Sequence, residues 1–146
     1  MSKKAITFTS DSKYMHYTLN LLNSIEKNCK YIDVYYRGVN ISEDDEFSIM
    51  DYDINYVIDR VDLPTKRNLV KNRENQLIVK DRPIISQILY SEVIAYTCHS
   101  RFKNISYLLK EGYDTILALD ADSYINKNID KLFKDYKHFD ICSLPV

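Results

Sequence analysis

The sequence predicts an α/β fold, a mostly parallel sheet flanked by helices. Three observations carry that expectation. Strand-like and helix-like segments alternate along the chain, the pattern that builds βαβ units. The run Thr115-Ile116-Leu117-Ala118-Leu119 is apolar without alternation, as in a strand covered on both faces. It ends abruptly in Asp120-Ala121-Asp122, and open α/β sheets place ligands at the carboxyl ends of their strands.

Ala5 to Thr9 reads as the first strand. Ser10-Asp11-Ser12 is a turn with helix-capping chemistry. From Tyr14 to Asn28 the positions Tyr14, Thr18, Leu21, Leu22 and Ile25 share one helical face. Tyr31 to Tyr36, rich in tyrosine and β-branched residues, is a second strand. Ile41 to Met50 forms a short acidic helix capped by Ser42, and Asn55 to Val61 a third strand ending before Pro64. Lys66 to Arg82 is polar and weakly periodic, a long loop or an irregular helical excursion. Its basic residues are a solvated face or a mobile segment near a phosphate group. Pro83 suits the first position of a long helix with a stripe at Ile84, Ile88, Tyr90, Ile94, Tyr96 and Cys98. A second helix, or its continuation, runs from Asn104 to Lys110 and stops at Gly112. After the strand into Asp120, Asn128 to Asp135 is a short helix with Ile129, Leu132 and Phe133 turned inward, and Asp140 to Leu144 a last strand.

The 146 residues suit a single domain, 1–146, and can bury a real core. A net charge of −1 gives no basic excess for nucleic acid and no acidic tail. No apolar run approaches the length of a membrane span, and the start of the chain lacks a signal-peptide core. Cys29, Cys98 and Cys142 are odd in number and widely spaced. They read as buried thiols of a reducing compartment, with the cytoplasm as the default location. Only Gly38 and Gly112 are present, so neither a phosphate loop nor a dinucleotide fingerprint can be built, which excludes a dinucleotide oxidoreductase.

In an extended backbone residues i and i+2 point to the same side, so Asp120 and Asp122 are expected to project together. Such a pair is either ordinary turn chemistry at a strand end or a clamp for a hard cation. Mg²⁺ or Mn²⁺ takes oxygen ligands and completes its shell with phosphate and water. A parallel sheet also brings the turn Thr9-Ser10-Asp11-Ser12-Lys13-Tyr14 to the same edge. There Asp11 caps a helix or accepts a hydrogen bond from a uracil ring N–H. Tyr14 packs in the core or stacks on that base.

The stretch Phe8-Thr9-Ser10-Asp11-Ser12-Lys13-Tyr14, followed by Asn23-Ser24-Ile25, resembles the start of glycosyltransferase family 8 and related GT-A enzymes. So do Arg101, Tyr113 to Ile125 with its Asp-x-Asp motif, and Asn128 to Phe133. The resemblance covers nearly the whole chain. It implies a Rossmann-like GT-A nucleotide-diphospho-sugar-binding fold and transfer from a UDP-sugar to an unknown hydroxyl acceptor. It also implies a hexosyltransferase type of reaction with a retaining outcome. By position, Asp11 and Tyr14 match the uracil site, and Thr9 and Ser10 line it. Asp120 and Asp122 match the ligands of Mn²⁺ or Mg²⁺, and Ala121 matches the position against the ribose. Arg101 matches the arginine facing the donor sugar and diphosphate, with Lys103 as its competitor. Lys13 meets a phosphate or points to water. Family members continue beyond the position of Val146 with acceptor residues and a histidine metal ligand, so the chain is expected to be the donor-binding part without the acceptor half. His138 is expected at the surface, and His16 and His99 are expected to be structural. The alternative to an enzyme is a vestigial or partner-dependent nucleotide-sugar-binding module, with self-association through the apolar C-terminal edge, Ile141 to Val146. A haloacid-dehalogenase-type phosphatase is set aside, because too little chain follows Asp122 for its later motifs.

Overall fold

The structure is a computed structural model that describes residues 2–62, 78–79, 82–83, 92–136 and 138. Most of the segment Lys66 to Arg82 lies outside the described residues. So do Ile84, Ile88, Tyr90, Cys142, the expected strand Asp140 to Leu144 and the edge Ile141 to Val146.

Strand β1 (Lys4–Asp11) is followed by a 3₁₀ turn (Ser12–Tyr14) and helix α1 (Met15–Asn28). Then come β2 (Asp33–Val39), α2 (Glu43–Ile49) and β3 (Asn55–Asp59). Two short strands, β4 (Ile78–Val79) and β5 (Arg82–Pro83), precede helix α3 (Glu92–Lys110). Strand β6 (Thr115–Ala118) and helix α4 (Asp130–Asp135) complete the described elements. The main sheet runs in the order β3-β2-β1-β6 with every pairing parallel. The order proceeds outward from β1 through β2 to β3 and then returns to the other side of β1. The β1/β6 boundary is therefore the topological switch point, where such sheets open a crevice for ligands.

The two sheet faces are sealed by different chemistry. On one face Ile6, Phe8, Val34 and Tyr36 pack against Met15, Leu21, Leu22 and Ile25 of α1 in one apolar cluster that also takes in Ile125 and Phe133. On the other, Thr7, Thr9 and Arg37 meet α3 through hydrogen bonds. Asn104 Nδ2 donates to Thr7 Oγ1 at 2.9 Å, Arg37 Nε donates to Asn104 Oδ1 at 2.6 Å, and Thr9 Oγ1 donates to the Thr97 carbonyl at 2.9 Å. Arg37 also pairs with Asp59 at 2.7 Å. Among the described residues a smaller apolar cluster on this side joins Ala5, Tyr35 and Leu108, with Tyr113 and Ile116 beside them and the Tyr107 ring 5.2 Å from that of Tyr35.

The helix ends follow local chemistry. Ser42 and Asp45 form a reciprocal capping box at the start of α2. Gly112, at φ +79°, stops α3 in the left-handed conformation that a side chain disfavours. Its N–H donates to the Leu109 carbonyl at 3.1 Å and that of Tyr113 to the Leu108 carbonyl at 3.1 Å, a Schellman closure. Helix α3 is continuous, so Asn104 to Lys110 is its continuation rather than a second helix.

Three expectations are corrected. Pro83 is in β5, paired with Ile78 of β4, and does not open the long helix. A proline fits an extended edge pair as readily as a first helical turn, and the pairing decides. The segment ending at Arg82 accordingly contains this ladder, and is not wholly loop or helical excursion. Finally, Thr115, Ile116 and Leu117 are half-buried and Ala118 is exposed, because β6 pairs only with β1 among the described residues.

Candidate functional site

The switch point holds a cleft of about 210 Å³, walled by three separate segments. Thr9, Ser10, Asp11 and Tyr14 come from the end of β1 and its 3₁₀ turn. Thr97, Cys98 and Arg101 come from α3, and Asp120, Ala121 and Asp122 from the turn after β6. The register between Thr7 and Ala118 extends one residue further through a bond from the Leu119 N–H to the Thr7 carbonyl at 2.9 Å. Asp120 is thereby delivered beside the end of β1.

Asp120 and Asp122 reach the cleft by a route that strand alternation does not describe. β6 ends at Ala118, and the Ser123 N–H donates to the Asp120 carbonyl at 3.0 Å. The acids thus occupy the first and third positions of a hydrogen-bonded turn, on either side of the buried Ala121, and both are exposed. Helix α1 fastens the segment that follows. Ser24 Oγ accepts from the Ile125 N–H at 3.1 Å, and Asn28 Nδ2 donates to the Ile125 carbonyl at 2.8 Å. Both backbone groups of this buried residue are satisfied by one helix face.

At the opposite wall Asp11 caps the 3₁₀ turn, its Oδ1 accepting from the Lys13 N–H at 3.0 Å. Its carboxylate is half-buried, and Tyr14 stands at the mouth with 47 % of its surface exposed. Tyr14 therefore does not pack in the core. Its ring is 5.8 Å from Tyr17, which in turn meets the His16 ring at 3.8 Å. The hydroxyls of Thr9 and Ser10 turn inward. Thr9 holds α3, and Ser10 Oγ bonds Thr18 Oγ1 and the Tyr36 hydroxyl, each at 2.8 Å. Burial drives the Tyr36 hydroxyl well above its ordinary pKa, only partly opposed by the Ser10 bond, so it stays neutral.

Arg101 Nη2 pairs with Asp120 Oδ1 at 2.7 Å across the cleft, and Arg101 Nε donates to the Cys98 carbonyl at 3.0 Å. Lys103 is placed elsewhere. Two residues apart on a helix means opposite faces. Its Nζ donates to the Tyr96 hydroxyl at 2.6 Å and sits 4.0 Å from Asp59. Two cleft residues escaped the sequence reading. Thr97 and Cys98 lie four and three residues before Arg101, spacings that share its helical face, and this was the available signal. Cys98 is exposed rather than buried, while Cys29 is buried with its thiol pushed up by desolvation. His16, His99 and His138 are all exposed.

Two carboxylates present hard oxygen donors suited to a divalent cation whose remaining positions go to phosphate and water. Among the described residues no third His, Cys, Asp or Glu joins them. Among the described residues no helix is long and apolar enough to cross a membrane.

No curated protein matches the chain. The family model of glycosyl transferase family 8 matches residues 5–137, which takes in every strand of the main sheet and all three walls of the cleft. A parallel Rossmann-like α/β sheet with its crevice at the β1/β6 boundary is the frame that a GT-A enzyme requires, and this chain belongs to glycosyl transferase family 8.

Proposed function

We propose that the chain, as one donor-binding domain spanning 1–146, binds a UDP-sugar in this cleft and transfers the sugar to a hydroxyl acceptor with the help of Mn²⁺ or Mg²⁺. The observation that carries the reading is the convergence of Asp11 and Tyr14, Arg101, and Asp120 with Asp122 on one cleft at the switch point. Tyr14 offers an exposed ring at the mouth for a base to stack on, and Asp11 has a carboxylate oxygen to accept the uracil N–H. Ala121 presents a buried backbone without a bulky side chain, suited to lie against a ribose. Arg101 supplies a planar fork of donors suited to phosphate. Asp120 and Asp122 would hold the cation, which supplies Lewis-acid neutralisation of the departing diphosphate.

The test is calorimetric titration of UDP with and without Mn²⁺, alongside an assay for UDP-sugar hydrolysis. Binding is expected to be tighter with Mn²⁺, and Asp122→Asn is expected to weaken it by at least about tenfold, the loss typical even of outer-shell partners of a metal. Metal-independent binding that Asp122→Asn leaves unchanged would reject the reading. Binding without turnover would reduce it to a nucleotide-sugar-binding module.

A further inference from the structure

Half of the proposed cation site is already neutralised by the protein itself. Arg101 Nη2 lies 2.7 Å from Asp120 Oδ1, with the arginine side chain 34 % exposed and the aspartate 64 %. The guanidinium is steadied from behind by the Cys98 carbonyl, at 3.0 Å from Nε. Asp122, on the same turn, has no ion pair with the described residues. The two acids are therefore unequal, one holding an internal cation and the other open.

We infer that Arg101 acts as a stand-in cation on Asp120, and that a divalent cation and a nucleoside diphosphate displace it only together. This rests on the donor site proposed above. A divalent cation arriving alone at Asp120 meets a guanidinium already bonded there, and like charges at such range disfavour one another. A diphosphate arriving alone meets two acids, of which Asp122 is uncompensated. Arriving as a pair, the diphosphate gives the planar fork of Arg101 a multivalent partner of better charge and equal geometry. The arginine swings from carboxylate to phosphate, and Asp120 is freed for the cation. Each ligand then raises the affinity of the other by the same factor, as linkage requires. The swap is feasible because an exposed pair of this kind is weak, worth no more than about fivefold in an equilibrium. Arg101 is then more than a donor contact. It couples the two ligands and keeps free metal out.

The experiment is titration of Mn²⁺ without nucleotide, followed by the electron paramagnetic resonance signal of the free ion, and repeated with UDP. It compares the unmodified chain with Arg101→Gln, Arg101→Ala and Lys103→Gln. Lys103 removes the same charge from the same helix but lies outside the cleft. Both Arg101 variants are expected to bind Mn²⁺ alone about two- to fivefold more tightly than the unmodified chain, the range set by an exposed ion pair. Lys103→Gln is expected to leave that affinity unchanged. The gain in Mn²⁺ affinity on adding UDP should shrink in the Arg101 variants. Unchanged or weaker Mn²⁺ binding in both Arg101 variants overturns the inference, as does an equal gain in Lys103→Gln, which would reduce the effect to net charge. If the unmodified chain binds Mn²⁺ and UDP together while the variants show no gain, only the inference fails. If it binds neither in any combination, the donor site fails and takes the inference with it.

Discussion

Thr18, Ser10 and Tyr36 form a chain of buried hydroxyls beneath the β1 wall of the cleft, with Thr18 donating to Ser10 and Ser10 bonded to the Tyr36 hydroxyl. Each of the three is at most 2 % exposed, so water cannot replace a lost partner. Thr18→Val keeps the shape and deletes the first donor, leaving Ser10 short of a bond. A loss of about 1–3 kcal/mol is expected, the cost of an unmet buried polar group, read from urea unfolding. Helical spacing placed Thr18 on the inward face correctly, because periodicity reports which face is buried. It cannot report that Thr18 meets Ser10, since that contact depends on where β1 ends. The same limit explains Arg101 and Lys103. Both are basic and two residues apart, and only the docked orientation of α3 tells which one faces the acids.

The capping box of α2 does two things at the scale of the element. It satisfies the first turn of the helix, and it ties that turn to the loop carrying Asp11, because Ser12 Oγ donates to Asp45 Oδ2 at 2.6 Å and accepts from the Ser42 N–H at 3.1 Å. Burial raises the Asp45 pKa, but the hydrogen bonds from Ser12 and Ser42 outweigh it and hold the carboxyl below its ordinary value. A depressed carboxyl stabilises the fold above the unfolded pKa of about 3.9 and loses that contribution as pH falls through the folded value. Asp45→Asn is therefore expected to lower the melting temperature at neutral pH and to flatten its decline on the acid side of pH 4 or so. Melting curves across that range check it. The Ser42 cap was legible because a Ser-x-x-Asp box is written in four consecutive residues. The role of Pro83 was not, because its partner Ile78 is chosen by strand pairing. Asp120 and Asp122 were legible as a pair, though the turn that aims them was not.

Among the described residues, α1 meets the sheet in an apolar cluster, while α3 adds directed polar bonds through Thr7, Thr9, Arg37 and Asn104. The α/β class and the parallel sheet were legible from alternating segments, whereas the position of β6 beside β1 was not, because strand order is a tertiary fact. That order brings distant parts of the chain to one cleft, so a ligand bound there bridges β1, α3 and the turn after β6. Filling it should stabilise all three at once. At a hundredfold excess over the dissociation constant, UDP with Mn²⁺ is expected to add about 2.7 kcal/mol to the unfolding free energy. At the same ligand concentration a tenfold weaker Asp122→Asn should keep no more than about 1.4 kcal/mol of this, so scanning calorimetry should show at most about half the shift in that variant.

One thiol on the α3 wall has a practical corollary. Cys98 is open to solvent where it lines the cleft, while Cys29 is enclosed. With Cys142 exchanged for serine, a maleimide would tag the molecule at a single place, and a seated nucleotide would shield it. Occupancy of the crevice can then be followed as added mass on the polypeptide, with no radiolabel and no knowledge of which sugar the donor carries.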